Sequence, residues 1–156
     1  MTQMRKLVIP KLCFSRWFAW EDRKDFPDAK QPGVYLIAIA PGKLVRCYPH
    51  WSDVVYIGMT ISRGGLAARW QQLSRSIRGG EGHSGGKTIY AKLGNYNSWR
   101  KKRKKLYVAA MAMDCDVKSP RPRDRRRMGL VAYFEHEAFA KYQEKTGRIR
   151  PKFNIH

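Results

Sequence analysis

The sequence predicts an α+β domain: a small central antiparallel sheet of three strands, flanked by helices. Two apolar runs rich in strand formers, 34–40 and 54–59, predict two of the strands, and a third run, 106–113, supplies the last. Two other stretches, 66–77 and 130–145, carry helical periodicity instead. At 156 residues, one domain is the natural count, and such a chain can bury a core without staples.

The run 34–40 ends at Pro41-Gly42, a turn signal. Residues 43–53 read as a connecting loop, or as an insertion with a little strand of its own. The run 54–59 then pairs antiparallel with the first. Ser62-Arg63-Gly64-Gly65 is a loop, and a helix follows it. Leu66, Trp70, Leu73 and Ile77 lie at offsets 0, 4, 7 and 11, one amphipathic stripe, and Gly79-Gly80 stops it. The stretch 130–145 is the longest helix, ended by Gly147, and Pro151 bounds the C-terminal tail. Residues 1–30, with Trp17 and Trp20, read as an extension packed on the core, and 31–156 as the main domain.

The net charge of +20 points to a polyanionic partner, most commonly nucleic acid. The charge is uneven. Residues 54–113 hold 12 Lys or Arg against a single acid, Glu81. Six cations run unbroken: Arg100, Lys101, Lys102, Arg103, Lys104 and Lys105. Contact with DNA phosphates would relieve their repulsion, and the neighbouring Tyr96 and Trp99 could stack on bases. Arg125, Arg126 and Arg127 form part of a second cluster, and Arg63 and Lys87 add to the nucleic-acid set. The same pattern suits RNA. The three cysteines show no CxxC and no zinc spacing, and free thiols suit a cytoplasmic location. Pro10 and Lys11 break any signal-peptide core, and no run approaches transmembrane length, so no membrane partner is expected.

Glu135 is the sharpest local feature. Val131, Phe134, Glu135, Ala138, Phe139 and Tyr142 share one helical face, and Glu135 interrupts it. A carboxylate there is costly unless it is paired or binds a metal. Pairing with an arginine is the commoner explanation. Glu137 falls on the polar side instead, with Tyr133, Lys141 and Glu144. His83 lies in a stretch with glycines at 79, 80, 82, 85 and 86, which suggests close backbone approach to a ligand. Gly86-Lys87-Thr88 mimics the end of a phosphate-binding loop. Glu81 stands where that motif needs glycine and no strand precedes it, so nucleotide triphosphate binding is rejected.

Taken singly, Tyr35 and Tyr56 read as half-buried strand tyrosines, and Arg69 as a solvated arginine. Their context changes that. Gly33-Val34-Tyr35 opens one strand and Tyr56-Ile57-Gly58 closes the next. Leu66 and Arg69, then Glu135, then Pro151 and Asn154 follow in order. This set resembles the GIY-YIG nuclease family, with Val34 in place of the usual isoleucine. The resemblance runs from about Gln31 to the C-terminus. It implies a metal-dependent DNA endonuclease that hydrolyses phosphodiester bonds. Glu135 would hold a single Mg²⁺ (or Mn²⁺), since the family's glutamate precedes two apolar residues, here Ala138 and Phe139. Arg69 would contact the scissile phosphate. One tyrosine would activate water, with its pKa lowered by Arg69 and the metal, and the other would support the site. Asn154 would brace it. His83 is similar to a histidine of some restriction-type members and would take a proton from a tyrosine or hold a phosphate. The alternatives are a catalytically inactive or an RNA-directed basic binding protein.

Overall fold

In the computed structural model, which describes residues 8–102 and 104–155, one antiparallel sheet divides the core into two faces. Its strands are β1 (Phe18–Ala19), β2 (Gly33–Ala40), β3 (Val54–Thr60) and β4 (Lys105–Ala112), in the order β1-β4-β2-β3. The class is α+β, but the sheet has four strands and not the predicted three. The extra strand comes from the N-terminal extension, where Phe18 and Ala19 pair with Val108 and Tyr107. Two residues are too few to show a period of two in sequence, and β1 is fixed only by the edge it completes. Ser15 extends the pairing along that edge, accepting from the Ala110 amide through Oγ and donating its own amide to the Ala110 carbonyl.

β2 is central and fully sandwiched, so its alternation sorts side chains between two cores. Tyr35 and Ile37 face one cluster, with Tyr56, Leu66, Trp70, Leu73, Ile77 and Ile89. Val34, Leu36 and Ala38 face the other, with Ile57, Val131, Phe134, Ala138 and Tyr142. The first cluster is covered by α1 (Gly65–Ser76), α2 (Ser84–Leu93) and α3 (Tyr96–Trp99). The second is covered by α4 (Pro122–Thr146). The stripe that predicted α1 is its buried face. α2 and α3 were not anticipated, because their glycines and polar residues hide the period. α4 starts at Pro122 rather than at 130, because its first turns carry arginines and no apolar stripe. Pro122 suits the first turn, and Gly147 at φ 73° ends the helix in the left-handed region.

The described loop 43–53 holds one turn of 3-10 helix, Trp51–Asp53, and no strand. It is tied to the extension by backbone bonds from Trp17 to Cys47 and from Arg46 to Trp17. Trp17 and Trp20 are both buried. No described helix is long and apolar enough to cross a membrane.

Gly58 lies opposite Tyr35 in the β2–β3 ladder. A Cβ there would sit 2.5 Å from the Tyr35 hydroxyl and Cζ. Gly129, inside α4, has nothing within 4 Å of such a Cβ. Gly58→Ala should therefore cost about 1–3 kcal/mol by overpacking. Gly129→Ala should stabilise by about 0.5–1 kcal/mol by restoring helix propensity. Denaturant melts of both variants check this, and a Gly58→Ala protein as stable as the wild type would contradict the close packing.

Candidate active site

Tyr35 and Tyr56 project from neighbouring strands onto the same face, with ring centroids 6.1 Å apart. His83 packs against both, at 6.4 and 5.4 Å. Tyr35 is wholly enclosed, at 0% exposure, whereas Tyr56 keeps 8%. Gly85 lies under the Tyr56 ring, where a Cβ would come within 2.4 Å of it. Gly86 packs on Ser76 and Leu73 of α1. The glycines at 85 and 86 thus serve helix packing, and the ligand approach expected from them is corrected.

His83 caps the N-terminus of α2. Its Nδ1 accepts the Gly86 amide at 3.0 Å, and its own amide donates to Ser76 Oγ at 2.9 Å. Nδ1 therefore carries the lone pair and Nε2 the proton. Nε2 is 2.7 Å from the Tyr35 hydroxyl, so the imidazole donates and the phenol oxygen accepts. Burial, helped by the Arg69 charge, pushes the His83 pKa down to about 3. The imidazole is neutral at physiological pH. Held in this tautomer it would stabilise a tyrosinate, not remove a tyrosine's proton.

Burial also governs the tyrosines. It drives the Tyr35 pKa well above 10, and the nearby Tyr56 raises it further while Arg69 opposes. Tyr56 is raised too, again chiefly by burial and then by Glu135; Arg69 and the Ser84 and Tyr35 hydroxyls favour its ionised form. The expectation that Arg69 would bring a tyrosine below its ordinary value is thus corrected for the chain alone: desolvation outweighs the arginine.

β3 is an edge strand, and its free edge is where the remaining residues gather. The Phe153 amide donates to the Val55 carbonyl at 2.9 Å. Asn154 then takes the place of a pairing strand, with Oδ1 accepting the Ile57 amide and Nδ2 donating to the Ile57 carbonyl, both at 2.9 Å. A small cavity of about 150 Å³ lies here, lined by Tyr56, Ser84, Gly85, Glu135, Phe139 and Asn154. Glu135 is half-buried and in no ion pair among the described residues. Burial raises its pKa, and this outweighs the lowering by His136 and Arg69. Arg69 on α1 is half-buried, and Nη1 donates to Gln72 Oε1 at 2.9 Å. Larger cavities lie elsewhere. This one brings together Glu135 from α4, Tyr56 from β3, Ser84 from α2 and Asn154 from the tail. Ser84 escaped the sequence reading; its place beside His83 at a helix start was the available signal.

No family model, no curated protein and no solved structure matches this chain.

The basic residues divide. Lys87 pairs with Glu81, and Arg100 lies 3.5 Å from Glu21. Arg127 and Arg123 approach Asp114, each at 3.6 Å. Arg63, Lys101, Lys102, Lys104, Lys105, Arg125 and Arg126 are exposed. Arg103 lies outside the described residues. Tyr96 and Trp99, expected as stacking platforms, are buried at 3% and 6% exposure. Their polar atoms bind Glu21 and the Gly94 carbonyl, so they are structural and that expectation is corrected.

His83 should make stability depend on pH. The folded chain protonates it only near pH 3, whereas an unfolded chain would do so near 6.5. Between these values the unfolded state binds the extra proton, so stability is full above the upper value and falls as pH drops. His83→Gln removes this titration and keeps an acceptor for Gly86. The wild type should show the steeper loss on acidification, by up to about 1.4 kcal/mol per pH unit. Equal slopes in urea melts would refute the buried neutral imidazole.

Proposed function

We propose that the chain is a metal-dependent endonuclease of the GIY-YIG type that hydrolyses phosphodiester bonds in DNA. One observation carries this reading. Tyr35, Tyr56 and His83 pack together and Tyr56 lines one small cavity with Glu135, so ionisable residues far apart in sequence lie side by side, and the Arg69 charge bears on all four. Such a cluster of ionisable groups with mutually shifted pKa values is typical of reactive sites.

Tyr56 is the better candidate for the base. It lines the cavity with Glu135, while Tyr35 is enclosed behind it. The attacking water would give its proton to the Tyr56 phenolate, and the leaving strand oxygen would take one from solvent. Tyr35, held by the His83 Nε2–H, would support that phenolate from behind. Arg69, oriented by Gln72, would offer its fork to the non-bridging oxygens as charge builds there. Glu135 fits a hard divalent cation, being a desolvated carboxylate beside hydroxyl donors. No group of three or more metal-ligating side chains occurs among the described residues, so Mg²⁺ (or Mn²⁺) would keep several waters and lean on substrate phosphate. Bound there, the cation would supply positive charge for the phosphate and draw the Tyr56 pKa down.

The raised phenol pKa values favour one rival, a catalytically inactive basic protein that binds DNA or RNA without cutting it. Nicking of supercoiled plasmid, with Mg²⁺ against EDTA, separates the readings. Glu135→Gln should abolish nicking and leave DNA binding nearly intact, while Glu137→Ala should stay mild. Tyr56→Phe should lose roughly 10²-fold or more, and Tyr35→Phe less. The wild-type rate should rise with pH, since the base acts as phenolate. A Tyr35→Phe protein slower than Tyr56→Phe would reverse the two roles, and no nicking under any divalent metal would refute the nuclease reading.

Binding should weaken steeply with salt. Each phosphate contact adds about 0.9 to the log–log slope on duplex DNA. Neutralising Lys101, Lys102, Lys104 and Lys105 together should flatten that slope in anisotropy titrations. An unchanged slope would show that this segment faces away from the duplex.

A further inference from the structure

A second, larger cavity lies on the same face of the sheet as Tyr35, at the other end of β4. It measures about 770 Å³ and opens between the turn after β1, the loop at 43–45, α3 and the start of β4. Leu106, on its wall, pairs with Ile39, and Ala110 pairs with Tyr35. Four residues of strand separate the two positions, roughly 13 Å at the usual rise. The volume falls in the range of sites that enclose a small organic group.

The lining has two chemistries. The interior is apolar and aromatic, formed by Ala19, Trp20, Tyr96, Leu106 and Tyr107, with Val45 at the rim. The mouth is cationic, with Lys43, Arg100, Lys101 and Lys105 against one acid, Glu21. Glu21 Oε1 is taken by the Tyr96 hydroxyl at 2.6 Å and approached by Arg100. Oε2 makes no hydrogen bond among the described residues and remains an acceptor.

We propose that this cavity takes up one unpaired nucleotide of a bound nucleic acid. Its phosphates would lie on Lys43, Arg100, Lys101 and Lys105, and its base would enter the apolar interior. Glu21 Oε2 would accept from the base edge, favouring bases with amino or imino N–H groups that face it. A small inorganic anion would leave the apolar volume unfilled, and an apolar peptide would bring no negative charge to Lys43, Lys101 and Lys105. A nucleotide matches both halves. Three of the mouth's four cations, Arg100, Lys101 and Lys105, also belong to the 100–105 segment, so the occupant and the polyanion would be one molecule. This inference rests on the nucleic-acid part of the proposed function and not on cleavage.

The test is anisotropy titration in EDTA, with a fully paired duplex and the same duplex carrying a single-cytosine bulge. The wild type should bind the bulged duplex about tenfold more tightly, the scale of withdrawing part of one base's apolar surface from water. Val45→Glu places a carboxylate at the mouth from a position 44% exposed, where folding should tolerate it. That variant should lose the preference for the bulge, read as the ratio of the two affinities, because Lys101 and Lys105 at the same mouth also serve paired duplex. Ile149→Glu, at 75% exposure, controls for the added charge and should behave as wild type. Equal wild-type affinity for the two duplexes, or a preference that survives Val45→Glu, would overturn the cavity's role and leave the nucleic-acid reading standing. Failure to bind either duplex would overturn both.

Discussion

The hydrogen bond between Tyr35 and His83 ties the central strand to the helix layer, and the site depends on it. Tyr35 is wholly buried, so its hydroxyl would cost about 1–3 kcal/mol if it lacked a partner. His83 supplies the partner only because its own amide and ring are pinned, by Ser76 on α1 and by Gly86 on α2. One residue thus caps α2, joins α1 to α2 and fixes its own tautomer. The consequences reach Tyr56, because the same helix start sets Gly85 under the Tyr56 ring and Ser84 beside the cavity.

An edge strand is usually a liability that must be covered. Here the cover and the site are the same structure. The tail bonds to Val55 and Ile57 and occupies the free edge of β3. Groups from opposite faces of a sheet can meet only around such an edge. Glu135 from the α4 face and Ser84 from the α2 face do so, with Tyr56 between them. A central strand in place of β3 would separate α2 from α4. Asn154 therefore both closes the ladder at Ile57 and lines the cavity beside Tyr56.

The long strands were legible because each is an apolar run of seven or eight residues that tertiary context only had to accept. α1 was legible from one stripe of large side chains. β1 and α2 were not, since the first is two residues long and the second owes its position to a histidine cap and to glycine contacts with other elements. The order of candidate site residues could be read from sequence; their environments could not. Burial of Tyr35 and Tyr56 reverses the direction in which their pKa values were expected to move, and burial is a property of the assembled core. Tyr96 and Trp99 sit beside a basic run in sequence, yet they turn inward, because the extension brings Glu21 over Tyr96.

Electrostatics sharpen the case for Glu135. The chain carries 32 Lys and Arg against 12 acids, so cations are abundant. Among the described residues Glu21, Glu81, Asp114 and Asp124 stand in ion pairs, and most of the other acids lie out in solvent. Glu135 instead sits where burial raises its pKa more than Arg69 and His136 lower it. Stability alone would favour a full ion pair there, or an apolar residue of similar size. A carboxylate kept desolvated in so cationic a chain has positive charge close by but not in contact. Its oxygens are in no ion pair among the described residues, although the Arg69 charge bears on them, and this is what the proposed role as a metal ligand requires.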